Sequence, residues 1–582
     1  VEKGKVYEYS IEKVTTLAEP FSSSGARLSG YGYVSAAIMK APVHTRGYML
    51  VLIATNVNDS LGNEIDQLKQ DLAGDGWDVD TEIINESASV ADVKSVIDAA
   101  NSKGKCDAVY LLGHIPVPYS GTYCKDPQYR YPPDGHGETD ANSHCGAWVA
   151  DVYYGVIGGS WTDTDSTSLA KREENKNAIG DGKFDNNRIP GTATIAVGRV
   201  DFNSMPAFSE TEIQLTKRYL NKAHQFKTSS FTGLRKGIIE NNFAAFQEGF
   251  SSAAVRDFTA HFGNGNAITA DMFTSSAAND YLFGYTCGAG SYTSCNGLGR
   301  TTDFTTKNGT MFNQIFGSFF GDYDINNNFM RASIATVKHG LVCVWSGRPK
   351  WVTHTLAIGE TYGDCALRTQ NNWQQYDANF YQNSPHIALL GDPSLRTESI
   401  LPAQNISLAA NSDSSTATIN WTATNESDIE GYYVYRSHKP YGGYQVLNTT
   451  LVSGLTFTDN APWDGTNHYM VRTAKKTITS SGSYINLSIG VSAEINGMKG
   501  DYASSTSLAK SNFKIYPTAA ESFLTLEKED SQPQQLVIKN TQGQTITSKT
   551  VRNAVNQLDV SRFASGSYFV TLGNRTLKFI KL

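Results

Sequence analysis

Four apolar runs between residues 237 and 345 each end in side chains able to do chemistry: Glu240-Asn241-Asn242, Cys287, Asp322-Tyr323-Asp324 and Trp345-Ser346-Gly347-Arg348-Pro349. Glu360 follows in Gly359-Glu360-Thr361, and His114 ends an earlier run in the same manner. Parallel sheets gather their ligands at the carboxyl ends of strands, so these positions are candidates for one site. Glu240, Asp322, Asp324 and Glu360 supply the general acid and the base or nucleophile that glycoside hydrolysis requires. Tyr285, Tyr292, Phe319, Phe320, Tyr323, Trp345 and Trp351 offer rings to stack on sugar faces, with Cys287 and Arg348 as polar contacts beside them. The same acids also read as helix caps and turn formers.

Other chemistries have weaker signals. Cys287 with His114 or His339 would make a thiol nucleophile and its base, unless Cys287 pairs with Cys295. No Gly-x-Ser-x-Gly elbow stands on a strand-to-helix turn, and Ser346 comes nearest to one. The segment Asp134-Gly135-His136-Gly137-Glu138-Thr139-Asp140, with His144, is either a metal site or a polar glycine-rich loop. Asp181, Asp185 and Asn187 present oxygens for a structural calcium ion, without the closing Glu of an EF-hand. No other cofactor is required. The seven cysteines fall into three near pairs, Cys124/Cys145, Cys287/Cys295 and Cys343/Cys365, with Cys106 left over. Disulfides and buried thiols fit each pair equally.

Alternating elements must position these groups. Tyr48–Ala54 is an apolar run typical of a buried strand, Leu61–Leu72 has helical spacing, and Trp77-Asp78-Val79-Asp80 leads into a strand. A helix over Val90–Ala100 and a strand over Ala108–Leu112 complete β-α-β-α-β, the pattern of a parallel sheet covered by helices. The pattern restarts with strands at Gly237-Ile238-Ile239, Tyr281–Tyr285, Met311–Phe316 and Leu341–Trp345, and with helices at Phe250–Phe262 and Phe329–Val337. The expected fold class is therefore α/β, two subdomains in tandem (46–230 and 231–400), with an N-terminal β segment over 1–45. Two β-sandwich domains follow, over 401–498 and 510–582, where short alternating strands are separated by turns. A polar linker, Lys499–Ser507, lies between them.

Charged residues make up 18 % of the chain and the net charge is −7, with no long Lys/Arg run, which argues against nucleic acid or an anionic membrane as partner. No run of about 18 apolar residues exists to span a bilayer. The chain begins Val1-Glu2-Lys3-Gly4, which reads as a mature form with its leader removed.

Three resemblances add to this reading. Trp421 on an early strand and Tyr433-Val434-Tyr435-Arg436 resemble a fibronectin type III domain. Phe513-Lys514-Ile515-Tyr516-Pro517, Leu536–Asn540, Gly566–Val570 and the ending Lys578–Leu582 resemble the sorting domain of type IX cargo in Bacteroidetes-type bacteria, with Tyr-Pro-Thr-Ala for the usual Tyr-Pro-Asn-Pro. That likeness implies a secreted or cell-surface protein and the type IX machinery as partner. Ala196-Val197-Gly198-Arg199-Val200, His386–Leu395 with Leu-Gly-Asp-Pro-Ser-Leu, and Asp151-Val152-Tyr153-Tyr154 resemble landmarks of the gingipain-like, caspase-fold peptidases, which implies Asp151 and Tyr154 as substrate-binding residues. That family's catalytic His falls on Ala289, and its Cys on Ser318 or Phe319. The cysteine-peptidase dyad is thus absent. The favoured reading is an extracellular hydrolase on that scaffold, acting on a polysaccharide through carboxylates. A cysteine endopeptidase with a displaced thiol and a non-catalytic surface or glycan-binding protein are the alternatives.

Overall fold

A computed structural model describes residues 2–16, 27–137, 144–244, 249–346, 350–377, 382–499, 513–528, 533–572 and 575–582. The chain divides into two compact units, Val1–Met498 and Lys499–Leu582.

A ten-stranded sheet forms the centre of the first unit. Its order is Ala267–Thr269, Leu234–Asn241, Tyr281–Cys287, Phe312–Phe316, Val342–Trp345, Leu389–Gly391, Ala196–Val200, Cys106–Leu112, Gly47–Ala54 and Trp77–Ile84. Every pairing is parallel except that of Leu389–Gly391 with Val342–Trp345. The two β-α-β halves therefore share one sheet, joined through Leu389–Gly391. Gly198 and Gly391 meet at that joint: a Cβ on Gly198 would lie 2.6 Å from the Gly391 carbonyl oxygen and 2.6 Å from Pro393 Cδ. Only glycine allows so close a backbone approach. The inner strands are buried on both faces, which is why they read as unbroken apolar runs.

The covering helices begin where their capping residues stand. Ser89 and Asp92 form a capping box for Val90–Lys103, as Thr211 and Gln214 do for Glu212–Lys227. The first residues form a hairpin, Val6–Thr16 with Arg27–Lys40, which joins the sheet of the fibronectin-like segment through Gly482–Leu487. That segment buries Trp421, Tyr432, Val434 and Tyr469 against one another. It is tied to the α/β body by buried Asp75, which pairs with Arg46 at 2.9 Å, Arg396 at 2.8 Å and Arg472 at 3.4 Å. The second unit folds around Phe513, Leu524, Leu536, Ile538, Val570 and Phe579.

Of the cysteine pairs, only Cys124 and Cys145 are bonded. Cys106, Cys287, Cys295, Cys343 and Cys365 are free and buried.

Arg199 lies under the sheet with no solvent exposure and donates two bonds of 2.8 Å to Asp151. Removing one partner of such a pair leaves a buried charge uncompensated. Asp151→Ala should therefore destabilise the first unit by about 3–5 kcal/mol. Scanning calorimetry of native and variant chains checks this, and unchanged unfolding of the first unit would refute it.

Candidate functional site

The candidate site lies at the carboxyl end of the strand Phe312–Phe316. Phe312–Phe316 runs into the turn Gly317-Ser318-Phe319-Phe320. This turn is seated on two indoles: Trp345 Nε1 donates to the Gly317 carbonyl at 3.1 Å, and Trp148 stacks on Trp345 at 5.6 Å. Phe319 adopts φ 71°, a left-handed conformation costly for a residue with a side chain. Gly290, from the neighbouring strand end, packs on the main chain of Ser318: a Cβ there would come within 2.4 Å of the Ser318 carbonyl.

The partner of this turn comes from the other half of the sheet. The insertion after His114 is closed by the Cys124–Cys145 disulfide and turns at Gly135, whose N–H donates to the Pro132 carbonyl. It delivers His136, whose Nε2 lies 2.8 Å from Ser318 Oγ. Both side chains are only partly buried. Asp134 accepts the His136 backbone N–H at 3.3 Å and contacts His144, which lies against Phe319. Sequence reasoning placed Asp134, His136 and His144 in a metal-or-loop cluster and did not connect them with Ser318. The flanking Cys124 and Cys145 were the available signal that this loop is held in place. Glu138 and Asp140 of the same cluster lie outside the described residues.

The expected carboxylates are brought together only in part. Arg172 clamps Asp324 with bonds of 3.1 and 2.6 Å and approaches Asp322 at 3.6 Å. Asn175 donates to Asp322 at 2.9 Å, and the Tyr119 hydroxyl donates to Asp324. Asp322 is buried, and burial pushes its carboxyl up to about 7. Glu240 is separate from this network. It accepts the Met272 N–H at 2.8 Å and the Asn242 amide at 3.3 Å, and burial raises its pKa. Glu360 pairs with Lys40 of the N-terminal hairpin.

The residues expected to touch substrate are mostly core. Tyr154, Tyr285, Tyr323 and Trp345 are fully buried and present no ring face to solvent. Asp151 is spent on Arg199, and the Tyr154 hydroxyl on the Pro116 carbonyl at 2.8 Å. Arg348 lies outside the described residues. Neither expected thiol dyad forms. Cys287 Sγ donates to Asn241 Oδ1 at 3.1 Å, and burial pushes its thiol up to about 11. His114 is held by Asp201 at 2.9 Å, and His339 by the Gly309 carbonyl and Asp280.

The calcium residues are engaged by the protein. Asp181 accepts from Ala178 and Lys183 N–H, Asp185 from Thr164 and Asp165 N–H, and Asn187 from Thr122 N–H. Among the described residues no group of three His, Cys, Asp or Glu converges to hold a metal ion.

Comparison with known proteins assigns the terminal unit. Residues 514–581 match the family model of the secretion system C-terminal sorting domain. The chain is exported by type IX secretion to the cell surface or the extracellular space, with that machinery as its partner in transit. Among the described residues no helix is long and apolar enough to cross a membrane. No curated protein matches the chain. Among solved structures, the Arg-specific cysteine proteinase gingipain R is 12 % identical, with 77 % of this chain and 98 % of that one covered at a TM-score of 0.44. A fibronectin type III-like protein from Clostridium thermocellum is 21 % identical, covering 15 % of this chain and 93 % of its own at a TM-score of 0.12. A two-domain fibronectin type III segment of chicken tenascin is 11 % identical, covering 31 % and 98 % at 0.13.

The raised Asp322 carboxyl has a measurable effect on stability. The folded chain keeps a proton there that the unfolded chain, with a carboxylate pKa of about 4, releases. Stability should therefore fall as pH rises from about 4 to about 7, by up to about 1.4 kcal/mol per pH unit from this group. Asp322→Asn should lack that component of the slope in urea unfolding, and parallel native and variant curves would refute the assignment.

Proposed function

We propose that this exported chain is a serine hydrolase that cleaves an acyl bond, ester or amide, in an extracellular polymer, with Ser318 as nucleophile and His136 as general base. The reading rests on Ser318 Oγ lying 2.8 Å from His136 Nε2, where both side chains reach solvent. Attack by Oγ on the substrate carbonyl forms the new C–O bond while the hydroxyl proton passes to Nε2. The tetrahedral adduct collapses as the C–O or C–N bond breaks, and the imidazolium returns its proton to the leaving group. Water, deprotonated by the same imidazole, then releases the acyl chain. Peptide N–H groups along the Gly290–Ser318 contact are the kind of donor that stabilises a developing oxyanion.

A second reading, polysaccharide hydrolysis by Asp322 and Asp324, is favoured by one observation. The Asp322 carboxyl, held up at about 7, stands beside a carboxylate paired with Arg172, so one acid of the pair keeps its proton where the other is neutralised by a cation. Against it, the two acids share a guanidinium and Asp322 is buried.

A fluorophosphonate probe followed by peptide mapping tests the first reading. Ser318 should carry the label, and Ser318→Ala or His136→Ala should lower turnover of aryl esters or peptide amides by at least about 10³-fold. Absence of the label from Ser318 sinks the proposal. Release of reducing sugar that survives Ser318→Ala but disappears in Asp322→Asn and Asp324→Asn would establish the second reading in its place.

A further inference from the structure

One further feature of the first unit serves neither reading. At the starts of the strands Gly47–Ala54, Trp77–Ile84 and Cys106–Leu112, the loop after Ile429–Ser437 clamps the sandwich onto the body. The Tyr441 carbonyl accepts the Val79 N–H at 2.9 Å, and Gly442 packs on Asp78. The clamp leaves a cleft of ≈ 320 Å³.

The lining combines ring faces with hydrogen-bonding groups. Tyr48, Trp77 and Tyr444 supply the rings; His44, Lys105 and Asp107 supply polar groups. The Asp107 carboxylate lies over Gly47, accepting the Tyr48 N–H at 3.0 Å on one oxygen and pairing with Lys105 at 2.6 Å through the other. Each oxygen keeps a further lone pair. Trp77 is 6 % exposed, and its indole N–H has no acceptor in the protein. The charges at the rim are already matched, Lys105 with Asp107 and Asp78 with Lys439, so the cleft does not call for a net-charged ligand. Its volume is at the small end of ligand pockets, room for a single ring with its substituents.

We infer that this cleft is a binding site for one neutral sugar ring of a glycan, stacked on half-buried Tyr48 and held through its hydroxyls by Asp107 and Lys105. Aromatic faces meet the C–H face of a pyranose, and paired ions accept and donate to its hydroxyl edge. The site tethers the chain to a glycan surface whichever of the two proposed reactions the chain performs.

Saturation-transfer NMR on the full chain, with the methyl glycosides of glucose, galactose, mannose and N-acetylglucosamine as probes, tests this. At least one glycoside should bind in the millimolar range. Tyr48→Ala, which removes the stacking ring, and Lys105→Ala, at an exposed position that does not threaten folding, should each weaken it about 10-fold. Fluorophosphonate labelling of Ser318 should be unaffected by Lys105→Ala. No binding by the native chain, binding by both variants as tight as that of the native chain, or preference for arginine or lysine amide over every glycoside overturns the inference.

Discussion

The pairing of Leu389–Gly391 between Val342–Trp345 and Ala196–Val200 is the constraint on which the rest of the first unit depends. Three residues join two half-sheets that are separate in sequence. The joint tolerates no Cβ at Gly198, and it is fastened by Lys227, which reaches buried Asp392 at 2.6 Å and Ser394 at 2.8 Å. The union makes one sheet of both halves. A turn from the second half and an insertion from the first then meet, and Ser318 and His136, 182 residues apart in sequence, come within hydrogen-bonding distance.

Charge in the first unit is divided by access to water. Asp151, Asp201 and Asp322 are buried and each is matched to a buried or half-buried cation or amide. Ion networks of this kind perturb pKa values as strongly as catalysis does, so a raised carboxyl such as Asp322 identifies a site only when a substrate can reach it. Ser318 and His136 satisfy the reach condition that the acids do not. The cleft at the starts of Gly47–Ala54, Trp77–Ile84 and Cys106–Leu112 follows the same logic, since its ions pair with each other at the rim and leave a ring face and single lone pairs to line it.

Much of the scaffold was legible because burial writes itself into the sequence. Tyr48–Ala54, read as one buried strand, is the strand Gly47–Ala54, and the helix read over Phe250–Phe262 runs Ser252–Phe262. The helix read over Phe329–Val337 stops at Ile334, where the chain turns back toward the sheet. The site was less legible for a physical reason. Strand-end acids and aromatics look alike whether they face solvent or core, and pattern alone does not say that Tyr285, Tyr323 and Trp345 fill the interior while Arg172 consumes Asp324. The Ser318–His136 contact depends on a loop with no periodicity, so only the cysteines flanking it carried information about its placement.

Those cysteines tie the site to the sorting domain. Among its described residues the insertion between Cys124 and Cys145 has little regular structure of its own, and a long loop left open would spread His136 over many positions. The covalent closure removes part of that freedom. Such a bond persists outside the cell and is rare in a reducing cytosol. The five remaining cysteines are buried as thiols, where burial suppresses the reactive thiolate. Export by the terminal unit therefore does more than deliver the chain: it takes the chain to the redox conditions under which the loop carrying His136 is held against Ser318.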